Sequence, residues 1–343
     1  MIIEENIPLS RYTTFRIGGL ARYFARVSDE KELAEAVRFA KKTKLPFFAL
    51  GGGSNILMSD YGFSGLVIKN EIKGIEYLPK EADIVEMIVG AGESWDEFVE
   101  DCVIEGLGGL ENLSGIPGTV GAAPVQNIGA YGMEVKDAMS WVEAYDTEKE
   151  IKQNFSAEEC RFAYRDSFFK TLEGKKYIIT RVGFLLSENQ EPNLSYKDIQ
   201  AYMKENNLNT MSVAQTRVAV LAIRARKLPD WREIGTAGSF FKNPLISEAD
   251  YEIIKIKIPD LPCFSVGGGL VKIPAAWLLD KVCNFNGVTR GQVGVYKNQA
   301  LVIVNNGNAT AKEVDTLAKE MKKCVQEKTG ITLLREVESV GAF

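Results

Sequence analysis

The chain contains no histidine. That removes the commonest general acid–base side chain and the commonest transition-metal ligand. A Ser-His-Asp hydrolase and a His-ligated zinc enzyme are therefore excluded, and no metal is expected. Proton transfer must fall to Ser, Tyr, Cys, Lys, Asp, Glu or water. Cysteine is sparse. Cys102, Cys160, Cys263, Cys283 and Cys324 are odd in number, far apart and form no C-x-x-C pair, which predicts buried reduced thiols. No apolar run approaches the roughly 20 residues of a membrane span. The acidic start M-I-I-E-E-N-I-P-L-S carries no signal-peptide pattern, so no membrane insertion and a cytoplasmic location are expected. A large charge imbalance is missing as well. The net charge of −5 argues against a general nucleic-acid or membrane-surface binder, while leaving room for a local basic pocket.

What is present is glycine in concentrated form. From Asn112 to Gly132 the chain reads N-L-S-G-I-P-G-T-V-G-A-A-P-V-Q-N-I-G-A-Y-G. Gly115, Gly118, Gly121, Gly129 and Gly132 are interleaved with Leu113, Ile116, Val120, Val125 and Ile128. A solvated linker would be rich in Ser, Glu or Lys. This stretch reads as packed, and glycine lets a ligand approach the backbone closely. A rigid wall of that kind suits a flat ligand carrying phosphate and points to a cofactor enzyme. At 343 residues with 45% apolar content, the chain can hold two or three domains and an ample core.

The pattern along the chain is mixed helix and strand. Ser28 to about Thr43 reads as a helix capped by Ser28, with Leu33, Ala36, Val37 and Ala40 on its apolar face. Phe47–Leu50 reads as a buried strand running into G-G-G-S-N, Gly51 to Asn55. Residues 64–92 are strand-rich. Ser94 and Glu97 form a capping-box pattern before Trp95, Phe98, Val99 and Cys102. Strands alternate from Trp141 to about Leu186, and 187–211 reads as polar and irregular around the island L-S-Y-K-D-I. Ser212 with Gln215 opens a helix ending near Lys227, and Leu228-Pro229-Asp230 marks a boundary. Thr310 with Glu313 opens a late helix stopped by Gly330, and I-T-L-L-R-E-V-E-S-V reads as a closing strand.

Each local constellation has two readings. G-G-G-S-N is either a tight turn or a backbone cradle for phosphate. It is neither a Walker loop nor a G-x-G-x-x-G fingerprint. Y-R-D-S, Tyr164 to Ser167, is a surface ion pair with a turn, or an arginine among aromatics that anchors a carboxylate. A-G-S-F-F-K-N-P, Ala237 to Pro244, is a strand with an N-P turn, or a hydroxyl at the rim of an apolar pocket beside Lys242 and Asn243. Glu336 by pattern alone is a strand-surface carboxylate. The basic run Arg224–Lys227 complements a helix dipole or suits a diphosphate.

Taken together and in order, these segments carry a resemblance. T-T-F-R-I-G-G, G-G-G-S-N, the long glycine loop, C-R-F-A-Y-R-D-S-F-F-K, the K-L-P segment, A-G-S-F-F-K-N-P, K-I-P-A-A-W-L-L-D and R-E-V-E-S-V-G resemble the UDP-N-acetylenolpyruvoylglucosamine reductase (UDP-N-acetylmuramate dehydrogenase, MurB) family over nearly the whole chain. The island around Tyr196 is similar to the tyrosine loop of the family's longer subtype.

The resemblance implies an α+β fold: a two-lobed FAD-binding module of the vanillyl-alcohol-oxidase (PCMH) type plus a C-terminal α/β substrate domain. The implied division is 1–70, 71–227 including the insertion near 187–211, and 228–343, with the last strand returning toward the active site. It implies a monomeric bacterial flavoenzyme in which NADPH reduces FAD. UDP-N-acetylglucosamine-enolpyruvate is then reduced to UDP-N-acetylmuramate for peptidoglycan. By the same matching, Arg165 would anchor the substrate carboxylate, Ser239 would supply the proton, and Glu336, protonated, would assist. FAD would lie against Gly51, Gly52, Gly53, Ser54, Asn55, Ser114, Gly115, Ile116, Pro117, Gly118, Gly121, Gln126, Asn127, Gly129, Ala130 and Tyr131. Tyr164, Tyr196, Lys227, Asn243 and Gln299 would contact the UDP-sugar. Two positions depart from the family pattern: Tyr296 stands where a histidine is usual, and Leu334 where an acid is usual. Two other classes compete, an FAD oxidase of another substrate and a non-catalytic nucleotide-binding module.

Overall fold

The computed structural model describes every residue except Glu81 and Ala82, which fall inside the stretch read as strand-rich. By backbone proximity the chain forms two compact units. The first holds Met1–Ile7, Ala21–Gly52 and Ser64–Arg226; the second holds Pro8–Leu20, Gly53–Phe63 and Lys227–Phe343.

Along the chain, β1 (Ile3–Pro8) and β2 (Leu20–Val27) lead to α1 (Glu30–Thr43). Then come β3 (Phe47–Leu50), β4 (Ile56–Met58), β5 (Phe63–Asn70), β6 (Ile75–Pro79), β7 (Ile84–Gly90) and α2 (Trp95–Ile104). The glycine loop holds only the short β8 (Gly129–Ala130) and β9 (Met133–Glu134). β10 (Met139–Asp146), β11 (Ile151–Ser156) and β12 (Tyr177–Ser187) follow, then α3 (Lys197–Glu205) and α4 (Val213–Lys227). The rest comprises β13 (Gly235–Ser239), β14 (Leu245–Ser247), α5 (Glu248–Lys257), β15 (Phe264–Gly267), β16 (Leu270–Lys272) and the single turn α6 (Ala275–Trp277). It closes with β17 (Thr289–Arg290), β18 (Val293–Val295), β19 (Val302–Asn305), α7 (Ala311–Thr329) and β20 (Glu338–Val340).

The first unit contains two main sheets, in the orders β1-β2-β5-β3 and β11-β10-β12-β7-β6. Two hydrophobic clusters pack on them, and the one under α1 also takes in Tyr145 of β10 and Ile178 of β12. The face Leu33, Ala36, Val37 and Ala40 of α1 packs with Leu66 and Ile68 of β5. Trp95, Phe98, Val99 and Cys102 of α2 pack with Val182, Phe184 and Leu113. The helix cap differs from expectation. Asp29, not Ser28, caps α1 by accepting from the Glu32 N–H at 2.8 Å. The Ser28 N–H and hydroxyl instead donate to the Glu32 carboxylate. At α2, Ser94 makes no side-chain cap bond. The glycine loop does that work instead, since the Trp95 N–H donates to the Gly118 carbonyl at 3.1 Å.

The segment 187–211 is more ordered than its polar composition suggests. It contains α3, whose Ile199 and Met203, one turn apart, pack with Met211, Ala219, Val220 and Ile223. The expected reciprocal cap opens α4, with Ser212 and Gln215 exchanging bonds at 2.9 and 3.3 Å.

The second unit is built on β13-β19-β18-β17, β14-β16-β15 and the parallel pair β20-β4. Its core joins Phe240, Phe241, Ile273, Leu278 and Ile303 to Val314, Leu317, Met321 and Val325 of α7. Thr310 and Glu313 form the capping box of α7, and Gly330 ends it in the left-handed conformation at φ 76°. The closing segment forms a strand only over Glu338–Val340. Before that, 334–336 runs beside 240–242 through isolated backbone bonds.

The cysteine expectation needs correction. Cys283 and Cys324 form a disulfide with Cα atoms 6.1 Å apart, while Cys102 and Cys160 are buried thiols and Cys263 is partly buried. Cys283 follows a π turn that packs on α7, which carries Cys324. A sequence separation of 41 residues hides a pair that packing creates. Among the described residues, no helix is long and apolar enough to cross a membrane.

Candidate active site

In the first unit, the wall is made of main chain. A Cβ on Gly51 would sit 2.6 Å from the Thr119 hydroxyl, and one on Gly52 would sit 2.6 Å from Gly118 Cα. Only glycine permits this approach. The turn after β3 is thereby pressed against the long loop. Loop hydrogen bonds fix the other side. Gly121 N–H donates to Ala91 O, Val120 N–H to Glu93 O, and the buried Ser114 hydroxyl to Glu111 O at 2.6 Å. Ile116 and Ala130 pack against the core, Pro117 is half-buried, and Gln126 closes a 3-10 turn that starts at Pro124. Gly129 and Ala130 pair with Glu134 and Met133 in a small hairpin.

Arg165 sits at the tip of a two-residue hairpin closed by reciprocal bonds between Ala163 and Asp166. Its guanidinium donates to the Gly129 carbonyl at 2.6 Å and the Asn127 carbonyl at 3.5 Å, and lies 5.5 Å from the Tyr164 ring centroid. Arg165, Asn127 and Tyr131 have φ of 54°, 47° and 49°. Left-handed backbone at non-glycine residues costs of order 1–3 kcal/mol each and gathers at functional sites. Here Arg165 and Asn127 are joined by a hydrogen bond, and Tyr131 follows Gly129, the other carbonyl that Arg165 grips, by two residues.

Tyr196 also belongs to this unit. Its ring meets Tyr131 edge-on with centroids 5.5 Å apart. Burial, with Asp198 and Tyr164 nearby, raises the Tyr196 hydroxyl above its ordinary pKa. The segment is tied to the glycine loop, since Asn112 Nδ2 donates to the carbonyls of both Tyr131 and Asn193, and Asn193 Nδ2 donates to Gly132 O.

In the second unit, residues 239–243 run against 334–336. Ser239 ends β13 opposite Val302, the Glu336 N–H donates to the Phe240 carbonyl at 2.9 Å, and the Lys242 N–H donates to Leu334 O. Ser239 and Glu336 thus flank one residue, Phe240, both half-buried. Asn55 Nδ2 donates to the Glu336 carbonyl at 3.1 Å, Gly53 O accepts from the Thr14 N–H, and Ser54 between them is half-buried. Asn243 Oδ1 accepts from the Ala275 N–H and so holds the start of α6. Gln299 lies in the turn joining Tyr296 to Val302, and Lys227 ends α4. Within each unit, then, the expected residues group. The first gathers Arg165, Tyr164, Tyr131, Tyr196 and the glycine wall. The second gathers Ser239, Asn243, Glu336 and Asn55, and Gln299 lies in the turn joining β18 to β19, its carbonyl accepting from the N–H of Val302, which pairs with Ser239.

The structure adds Thr119 and Asp96 to the residues read from the sequence and gives Arg224 a place. The buried Thr119 hydroxyl has no hydrogen-bond partner among the described residues and adjoins Gly51. Arg224 is half-buried against Gly115, where loss of solvent lowers its pKa while Tyr131 and Asp96 favour its charge. Tyr131 in turn is pushed up to about 12 by burial, against the opposing pull of Arg224. Asp96 accepts from both the Gly115 N–H and Arg217. Orphaned hydroxyl, half-buried cation and side-chain-free cradle together fit a flat dinucleotide. Thr119 lies inside a motif dominated by glycine and gave no distinct signal, whereas Arg224 belongs to the basic run that also read as suiting a diphosphate.

Residues 21–152 match the family described as FAD binding domain, and residues 230–340 match the UDP-N-acetylenolpyruvoylglucosamine reductase, C-terminal domain. The chain is 42% identical over 341 residues to the UDP-N-acetylenolpyruvoylglucosamine reductase of Flavobacterium johnsoniae, covering 99% of this chain and all of that one. The chain belongs to the UDP-N-acetylenolpyruvoylglucosamine reductase family. The same enzyme of Pseudomonas aeruginosa is 39% identical over 96% of this chain and 97% of its own length. The crystal structure of UDP-N-acetylenolpyruvylglucosamine reductase from Thermus caldophilus superposes with a TM-score of 0.69 at 27% identity, covering 99% of this chain and all of that one. The expected α+β fold with an FAD-binding domain accords with these matches.

Proposed function

We propose that this family member is itself the FAD- and NADPH-dependent reductase that converts UDP-N-acetylglucosamine-enolpyruvate to UDP-N-acetylmuramate in peptidoglycan precursor synthesis. The observation that carries the reading is the backbone pairing that sets Ser239 and Glu336 on either side of Phe240, with the Glu336 N–H on the Phe240 carbonyl at 2.9 Å. An acid and a hydroxyl fixed to one short stretch of backbone form a proton-handling pair in a chain that has no histidine.

When bound, FAD supplies the hydride. The chain's own residues do the rest. Negative charge develops on the substrate next to its carboxylate, and fixed donors must meet it. Arg165 takes that carboxylate, its guanidinium plane set by the Gly129 and Asn127 carbonyls. Ser239 Oγ delivers the proton to the carbon beside it, and Glu336 assists as a donor. Tyr164, Tyr196, Lys227, Asn243 and Gln299 hold the UDP-sugar, with Tyr196 folding over the diphosphate. Gly51 to Asn55 and the loop from Ser114 to Tyr131 hold FAD. We also carry forward 1–70 and 71–227 as FAD-binding lobes, 228–343 as the substrate domain, and a monomer in the bacterial cytoplasm. Apart from Tyr145 and Ile178, which join the cluster under α1, the two clusters of the first unit follow the lobe division and support it.

An anaerobic titration tests the reading. NADPH should bleach the yellow protein, and the enolpyruvyl sugar should restore its colour with one UDP-N-acetylmuramate formed per flavin. Recovery of colour only on admitting oxygen would favour the oxidase, and a protein that binds no flavin would favour the nucleotide-binding module.

A further inference from the structure

Lys69 is the penultimate residue of β5 and pairs in parallel register with Leu50, the last residue of β3. Its side chain therefore lies beside the point where β3 enters the glycine turn. Nζ donates to the Gly51 carbonyl at 2.7 Å. A lysine head group ordinarily reaches for water. This one is partly buried, and burial lowers its pKa, with Arg26 and Lys73 adding to the effect. Glu71, whose field favours the charge, is itself ion-paired to Arg26 at 3.1 Å.

The bond has a directional consequence. In a trans peptide the carbonyl of one residue and the N–H of the next point to opposite sides. No cis peptide is present among the described residues. Tying the Gly51 carbonyl to Lys69 thus turns the Gly52 N–H away from Lys69. A hydrogen bond to the carbonyl also polarises the amide, which makes that N–H a better donor. The turn then offers a strengthened donor on one side and a fixed cation behind it, in a stretch where glycine excludes side chains.

We propose that Lys69 is a positioning residue for the dinucleotide: it locks the Gly51–Gly52 peptide so that its N–H serves the FAD diphosphate, and adds positive charge behind that donor. This rests on the reading that the Gly51–Asn55 turn faces FAD. Backbone N–H groups in such a turn form an anion nest, and a nearby ammonium favours a doubly charged ligand without touching it.

The test compares FAD with riboflavin, which lacks phosphate, by fluorescence titration of the full-length protein stripped of flavin. Lys69→Met should weaken FAD binding about tenfold, the scale of one charge-assisted contact, and leave riboflavin affinity within about twofold. Lys69→Arg should recover most of the loss. Unchanged FAD affinity in Lys69→Met, or an equal loss for both ligands, overturns the proposal. Gly52→Ala separates the two layers of inference. If it weakens FAD binding while Lys69→Met does not, the role of Lys69 falls alone. If neither matters, the turn does not face FAD. Circular dichroism checks folding; should Lys69→Met not fold, Lys69→Gln is read in its place and must show the same selective loss.

Discussion

The glycine wall of the first unit and the Ser239–Glu336 pairing of the second are built from opposite materials. The wall is backbone. Its contacts depend on absent side chains, as at Gly52 against Gly118, and its polar groups are mostly carbonyls and N–H groups tied to α2 and to β7 and its following turn. The second region is made of side chains projected from two chain segments that touch through single backbone bonds at Phe240 and Leu334. A backbone wall of glycine can present shape and N–H donors, tolerates little added volume, and cannot move a proton between states. A pair of side chains on neighbouring segments can exchange protons and costs little to alter sterically. Substitutions in the two regions should therefore fail differently: the first through binding and stability, the second through rate.

The largest expected effect lies in the second region. Ser239→Ala should slow reoxidation of the reduced enzyme by the enolpyruvyl sugar by roughly a hundredfold to a thousandfold, about 2.7–4 kcal/mol, while flavin reduction by NADPH stays near wild type. Stopped-flow traces in which both half-reactions slow together would erase the contrast. Next is Gly52→Ala, whose new methyl would meet Gly118 backbone at 2.6 Å. Overpacking of this kind costs about 1–3 kcal/mol, read as a lower urea midpoint, and FAD affinity should fall with it; a variant as stable as wild type would show that the wall is pliant. Tyr196→Ala should raise KM for the UDP-sugar about tenfold, the scale of losing one aromatic contact, without changing the rate of flavin reduction. An unaltered KM would contradict the assignment of Tyr196 as a lid.

The smallest effect is a control away from both regions. Asp146 is fully buried at the end of β10. Burial alone would raise its pKa, but N–H groups of Lys149 and Glu148 and the Lys176 ammonium outweigh it and hold the carboxyl below its ordinary value. The folded pKa is the lower one. Its contribution to stability is therefore complete above the unfolded value of about 3.9 and is lost as pH falls through the folded pKa. Asp146→Asn should flatten that acid limb in urea midpoints measured against pH and leave both half-reactions untouched.

Much of this was legible in order and spacing. Apolar periodicity gave α1, α2 and α7. The Thr310–Glu313 and Ser212–Gln215 signals became real caps, because capping is a contest among neighbours in sequence. Where a distant partner competed, local reading failed. Ser94 is not a side-chain cap, since the glycine loop supplies the bond to Trp95. The segment 187–211 holds a helix because Ile199 and Met203 find Val220 and Ile223. The closing residues form only a short strand because their partner, β4, is three residues long.

Residue order by itself determined the glycine wall, the lack of imidazole chemistry and the family motifs that name Arg165, Ser239 and Glu336, since composition and spacing are local quantities. Tertiary structure alone decided that Cys283 meets Cys324, that Thr119 is buried against Gly51 and Arg224 packs against Gly115, and that Lys69 grips Gly51. Those contacts join residues 18 to 109 positions apart or lie under other elements. Only the free energy of packing the whole chain brings such partners into range.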